Sequence, residues 1–149
     1  MSDEKEHMNT KLEEMVIPVL RIAGFQGSLP HFRRIKEAEI DLLTFQTDRY
    51  GGGFVIEIAK TENKTFITHW GKEIEPKKIT AFDITKRIRI HPKGILKDSS
   101  TDDWFRYDKK VVPFQDRYTI VAMQVIKQIT TIEEIFKNNL LEWNKLIED

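Results

Sequence analysis

A change of hydrophobic period limits what this chain can fold into more than any other feature. In several segments between about residues 29 and 107, apolar residues recur at every second position. Towards the C-terminus, Val121, Val125, Ile129, Ile132, Phe136, Leu140, Trp143 and Ile147 step by 4, 4, 3, 4, 4, 3 and 4. A period of two lays apolar side chains on one face of a strand, and steps of three and four lay them along one helical stripe. A chain that does one and then the other packs as α+β, with helices against one face of an antiparallel sheet.

The individual elements follow from the same pattern. A first helix is expected over about residues 5–23, where Leu12, Met15, Val16, Val19, Leu20 and Ala23 share a stripe. Pro18 inside that stripe kinks the helix or starts a shorter one, and Gly24 ends it. Residues 31–35 and 40–47 read as strands, joined through 36–39. The Gly51-Gly52-Gly53 loop leads to a strand at 54–59, with a hairpin through 61–64 into a strand at 65–70. Residues 71–84 carry no clear period; 87–90 alternate strictly, 93–103 are loop-like, and 104–107 form a short strand. The C-terminal stripe predicts two helices, or one that breaks near Thr130–Thr131, where Thr131-Ile132-Glu133-Glu134 has capping-box spacing. Short connections imply antiparallel pairing, since parallel crossovers need a dozen or more residues. The expected architecture is a meander of about five strands, covered on one face by the N-terminal helix and the C-terminal helices. It forms a single domain over 1–149, with its sheet at about 29–107 and its helical region at about 115–148.

Composition narrows the function classes. With 24 Lys+Arg against 24 Asp+Glu among 149 residues, the formal charge is zero, which argues against a generic nucleic-acid binder. No cysteine is present, so disulfides, thiolate metal sites and thiol nucleophiles are excluded. The start of the chain is acidic and its first apolar run, residues 15–20, is short and contains Pro18, unlike a secretory signal. No segment approaches the roughly 20 apolar residues of a membrane span. A cytoplasmic protein is therefore expected. The zero charge also conceals two blocks. Residues 85–97 hold Lys86, Arg87, Arg89, Lys93 and Lys97 with no acid, a local +5, and residues 1–14 sum to −3.

Catalytic signatures are missing. The three glycines precede a strand with no Lys-Ser/Thr, so they form no phosphate-binding loop, and zinc-protease, serine-hydrolase and calcium-loop patterns do not occur. A nuclease-like set could be sought in Asp41 with Glu62-Asn63-Lys64, but that tripeptide falls in an expected turn. His7, His31, His69 and His91 have no metal-ligand spacing. No catalytic residue, metal or cofactor is implied.

One pattern does carry chemistry. If Phe54, Ile56, Ile58, Ile88 and Ile90 all face the helices, then Gln46, Glu57, Arg87 and Arg89 share the opposite face. Arg33 or Arg34 joins them, depending on register, and Trp104 is close in sequence. Two readings stand open. Glu57 forms ordinary cross-strand pairs with Arg87 or Arg89 on a solvated surface. Alternatively, the paired guanidinium groups line a concave polar site that grips a carboxylate, a phosphate or an acidic partner.

The opening helix ending in Gly24-Phe25, then Pro30-His31-Phe32-Arg33-Arg34, Phe45-Gln46, Gly51-Gly52-Gly53-Phe54, Glu57, Arg87-Ile88-Arg89 and Trp104-Phe105, follow one another in a telling order. In that order and spacing, from about Leu12 to Tyr107, the chain resembles the bacterial domain-of-unknown-function family numbered 4304. It departs from the family after the glycines, where Val55-Ile56-Glu57-Ile58 stands in place of an Asn-containing segment common among members. The resemblance implies a compact α+β domain and no activity.

The expected function is a non-enzymatic protein-interaction domain, one concrete form being an immunity- or antitoxin-like protein. Its partner surface includes Arg33, Arg34, Gln46, Glu57, Arg87, Arg89 and Trp104, since Arg and Trp dominate binding hot spots. The alternative is a small-molecule or anion-binding domain, or an enzyme, on the same polar face. A homodimer through edge strands or the C-terminal helix is a third expectation.

Overall fold

Pro18 cannot donate a backbone hydrogen bond, so the first apolar stripe is divided between two helices. In the computed structural model, which describes residues 3–97, 100–109 and 116–147, these are α1 (Asp3–Met15) and α2 (Ile17–Ile22). Pro18 stands in the first turn of α2, where a missing N–H costs nothing. The stripe survives the break: Met8, Leu12, Val16 and Leu20 are all buried.

The strands are β1 (Gln26–Ser28), β2 (His31–Ile35), β3 (Glu39–Thr47), β4 (Gly53–Glu62), β5 (Phe66–Ile67), β6 (Glu73–Ile74), β7 (Ile88–His91), β8 (Gly94–Ile95) and β9 (Phe105–Arg106). Seven of them build one antiparallel sheet in the order β1-β2-β3-β4-β7-β8, with β9 also paired to β4. β4 spans ten residues, enough for Gly53 and Phe54 to pair with β9 while Ile56, Glu57 and Ile58 pair with β7 along the same edge.

The sheet therefore holds more strands than the expected five, and it is not a simple meander. The predicted hairpin from β4 into residues 65–70 does not form. The chain leaves the sheet after β4, makes a separate ribbon of β5 and β6, runs through 3-10 turns at Pro76–Lys78 and Ala81–Asp83, and returns as β7. The excursion covers one end of the sheet's second face. Ile79 and Ala81 are buried there on Ile40, Leu42 and Ala59, with Phe66, Ile74 and Ile84 at the margin. This explains why β3 and β4 are apolar on both faces at that end, and why residues 71–84 show no period of their own.

Two helices close the chain, α3 (Arg117–Phe136) and α4 (Leu140–Ile147). The predicted break at Thr130–Thr131 is displaced to residues 137–139. Glu134, the acid of the supposed capping box, instead pairs with Lys137 at 2.9 Å, and the neighbouring Glu133 accepts hydrogen bonds of 2.8 and 2.7 Å from Arg34. The working cap is Asn139: its side chain accepts from the Glu142 amide and Glu142 accepts from the Asn139 amide, both at 2.9 Å. Phe32, Leu43, Phe45, Phe54, Ile56, Ile58, Ile88, Ile90 and Phe105 of the sheet form one core with the apolar stripes of α1, α2 and α3 and with Trp143 of α4. All helices thus lie on one face, and the half of the other face not reached by the excursion stays open. Among the described residues no helix is long and apolar enough to cross a membrane.

Candidate functional site

The open face is centred on a carboxylate that sequence alternation places there. Glu57 sits mid-strand in β4 opposite Thr44 of β3 and Arg89 of β7, and its side chain is only 1% exposed. Burying a carboxylate is costly unless cations and donors satisfy it. Here Arg89 Nε donates to Oε1 at 2.9 Å and Arg87 Nε lies 3.4 Å from Oε2. Gln46, with its amide nitrogen turned to Glu57, lies 3.0 and 3.1 Å from the two oxygens. One negative and two positive charges leave the cluster with an excess of +1.

The two arginines are used differently. Arg87 Nη1 donates to the Phe82 and Ile84 carbonyls at 3.3 and 3.2 Å, and its guanidinium lies 5.6 Å from the Phe82 ring centre. Among the described residues Arg89 is anchored only through Nε, with its guanidinium 5.6 Å from the Trp104 ring centre. Its two Nη groups have no partner among the described residues. Above them lies a depression of about 610 Å³ bounded by Glu57, Thr85, Arg87, Arg89, Leu96 and Lys97. The face is therefore neither flat nor enclosed.

A second depression, of about 640 Å³, meets the first at Thr85 and is lined by Phe66, Ile67, Trp70 and Phe82. Trp70 is 77% exposed and Phe82 45% exposed. Phe82 also packs edge-on against His31, whose Nδ1 is 2.9 Å from Thr44 Oγ1. Burial, followed by the nearby Arg33 charge, lowers the His31 pKa, while Asp83 opposes this.

Of the residues expected at the site, Gln46, Glu57, Arg87, Arg89 and Trp104 meet on this face. Arg33 lies on the same side of the sheet, but its Nε donates to the Ile79 carbonyl under the excursion. Arg34 does not join them. Register turns it to the helix side, where it bonds Asp41 and Glu133 and stacks 4.4 Å from the Phe25 ring centre. Asp41 is fully buried there among Arg34 and Lys36, each at 2.8 Å, and Lys60 at 2.6 Å. Burial alone raises the Asp41 pKa, but hydrogen bonds from Lys36, Lys60 and Arg34 outweigh it and leave the carboxyl below its ordinary value. Glu39 bonds Lys60 at 3.2 Å and also accepts the Leu140 amide at 2.6 Å, tying this network to the start of α4. Asp41 is thus a structural carboxylate enclosed by cations and does not meet the exposed Glu62–Lys64 pair. The nuclease-like set does not assemble.

The three glycines serve packing rather than phosphate binding. Arg106 bonds Asp48 at 2.7 Å and Asp108 at 2.6 Å across the loop. A Cβ on Gly52 would stand 2.4 Å from Asp108 Oδ2, and one on Gly53 would stand 2.8 Å from the Arg106 guanidinium. Gly52 also has φ +80°, a region that other residues rarely adopt. The hydrogen bond to Arg106 holds the Asp48 carboxyl below its usual range.

Sequence reasoning missed Trp70, Phe82 and Thr85. The alternation at 65–70 predicts Trp70 in a strand beside β4, and the other two lie in or next to the segment without period. An aromatic pair amid lysines was the available signal. Among the described residues no group of three or more His, Asp or Glu side chains could hold a metal ion. His7 stacks on Tyr118, His31 bonds Thr44 and His91 lies 3.2 Å from the Asp103 carbonyl.

The family model described as Domain of unknown function (DUF4304) matches residues 16–138, most of the chain. The chain belongs to this family. The match begins slightly later than the resemblance read from sequence and extends through α3. Searches of curated proteins and of solved structures return no match. The DUF4304 domain of this chain thus has both its open face, with Glu57 and Arg89, and the excursion beside it, with Phe82 and Trp70, inside the matched region.

Proposed function

We propose that this DUF4304 protein is a non-enzymatic recognition domain that binds an acidic partner protein on the open sheet face. The observation that carries the reading is that exposed Trp70 and Phe82 line a depression that meets, at Thr85, the one bounded by Arg87 and Arg89, in a chain of zero net charge. Between residues 63 and 97 nine basic residues face three acidic ones, a local +6 that the rest of the chain offsets. Arg, Trp and other aromatic side chains supply most of the energy at protein interfaces, and complementary charge steers the partner and selects it. An immunity or antitoxin role, in which the partner is a toxin, is one form of this function. A cytoplasmic location belongs to the same proposal and fits a chain without cysteine.

Affinity capture from the native cell tests it, using three baits: the wild-type protein, the Trp70→Ala/Phe82→Ala variant, and Met123→Ala on the exposed side of α3. A protein identified by mass spectrometry that binds the first and third baits and loses the second is the expected result. A partner retained equally by all three, or a partner lost only with Met123→Ala, overturns the reading.

The second reading, a site for a small anion, is favoured by one observation, the Arg89 Nη groups at the mouth of the 610 Å³ depression. Binding of a free anion independent of any protein partner separates the two.

A further inference from the structure

We infer that Arg89 is the anion-gripping residue of this face, that it takes a carboxylate of an acidic polypeptide end-on through Nη1 and Nη2, and that Glu57, Gln46 and Trp104 exist to hold it ready. This inference rests on the interaction reading above and names the chemistry that the partner must present.

A guanidinium carries five N–H donors in a fixed plane and can meet a carboxylate along its Nε–Nη side or across its two Nη ends. Arg89 Nε is committed to Glu57 Oε1 at 2.9 Å, which closes the side approach and leaves the end. Glu57 is 1% exposed and fixed by the strand backbone, so the anchor is rigid, and Gln46 fills the remaining capacity of its carboxylate. Trp104, 5% exposed, supports the guanidinium from below, and its own Nε1 is buried without a partner among the described residues. A side chain held from behind and beneath has already lost most of its rotamer entropy, so an incoming anion loses less affinity in ordering it. The cluster's excess of +1 is what one carboxylate neutralises.

Arg87 completes the contrast. It lies two residues away on the same face, yet its Nη1 is spent on the Phe82 and Ile84 carbonyls. Arg87 is a positioning residue that fixes Phe82 beside the depression. Local charge selects the occupant. The +6 of residues 63–97 and the open, shallow form of the depression suit an extended acidic chain with apolar neighbours more than a small anion, which such an open site cannot enclose.

The test is a titration of the full chain, 15N-labelled at Arg and Trp, followed by NMR of the Arg Nε–H and Trp Nε1–H signals. The probes are a hexaglutamate peptide and inorganic phosphate at equal ionic strength. Saturable shifts of Arg89 and Trp104 with the peptide, and weaker shifts with phosphate, are expected. Arg89→Ala and Arg89→Lys should each lower the peptide's affinity about ten-fold or more, because Lys keeps the charge and loses the fork. Arg87→Ala should lower it by less than about three-fold. Wild-type affinity in Arg89→Lys, equal losses in the Arg87 and Arg89 variants, or phosphate binding as tightly as the peptide each overturns the inference; the last assigns the site to a free anion. Failure of this inference is distinct from failure of the interaction reading. A captured partner that needs Trp70 but leaves Arg89 unshifted by peptide removes only the former. Arg89-dependent peptide binding with no Trp70-dependent partner removes only the latter.

Discussion

The two faces of the sheet each hold a buried carboxylate ringed by cations, and the two clusters behave as opposites. Under the helices, Asp41 is enclosed by Arg34, Lys36 and Lys60, and Arg34 passes on to Glu133 of α3. Lys60 is itself buried, at 3% exposure, so its charge has no water to turn to. On the open face, Glu57 is as well covered, but Arg87 and Arg89 keep about a third of their side chains in solvent. The difference teaches how to separate structural from functional ion pairs. Lys36 reaches water with its side chain 43% exposed, but Lys60 and Arg34, with side chains 1% and 15% exposed, are the cations that lock elements together, whereas a fixed carboxylate whose cations all reach water presents donors to something else.

The largest expected effect lies on the helix side. Asp41→Asn strands Lys60 and Arg34 in a dry site and should cost about 3–5 kcal/mol in urea unfolding. Because the folded pKa of Asp41 is depressed, its contribution is fully present above the unfolded value near 3.9 and is lost as pH falls below it. The wild-type protein should therefore lose stability below about pH 4, and Asp41→Asn should flatten that loss. A variant as stable as wild type would collapse the contrast between the faces.

Gly52→Ala tests the loop that borders the open face. Its Cβ would meet Asp108 at a positive φ, and a cost of about 1–3 kcal/mol is expected, read by thermal melting. Glu57→Gln comes next, at about 1–2 kcal/mol, since its arginines can turn to solvent while one donor group is left facing others. Smallest is Trp70→Ala, whose side chain is exposed and should change stability by less than about 0.5 kcal/mol while abolishing partner capture. If Glu57→Gln proved as damaging as Asp41→Asn, the open cluster would be structural too.

The alternation of β4 and β7 made half of this contrast legible in advance. Ile56 and Ile58 against Glu57, and Ile88 and Ile90 against Arg89, place six residues on their faces with no knowledge of strand order. Arg34 was not legible, because adjacent arginines at 33 and 34 give no sign of which faces the helices; the pairing of Arg34 with Asp41 across β2 and β3 decides it. The ribbon of β5 and β6 was hidden for a different reason. Its strands are two residues long and it packs through Phe66 and Ile74 onto Ile40 and Leu42, contacts that are tertiary and leave no local period. The displaced helix break is tertiary in origin too: Ile132 and Phe136 are buried in the core and Glu133 pairs with Arg34, 99 positions away, so α3 runs on through Thr130–Thr131. Local pattern thus reads the strands and the open face, and long-range ion pairing sets the rest.

Urea unfolding of Arg89→Ala beside Arg34→Ala tests the division of the two faces most directly. Arg34 ties β2 and β3 to α3, so its loss should cost about 3–5 kcal/mol. Arg89 presents donors outward, and with Arg87 and Gln46 still on Glu57 its loss should cost no more than about 1 kcal/mol. A cost for Arg89→Ala equal to or above that of Arg34→Ala would contradict the division of the two faces into a structural and a recognition side.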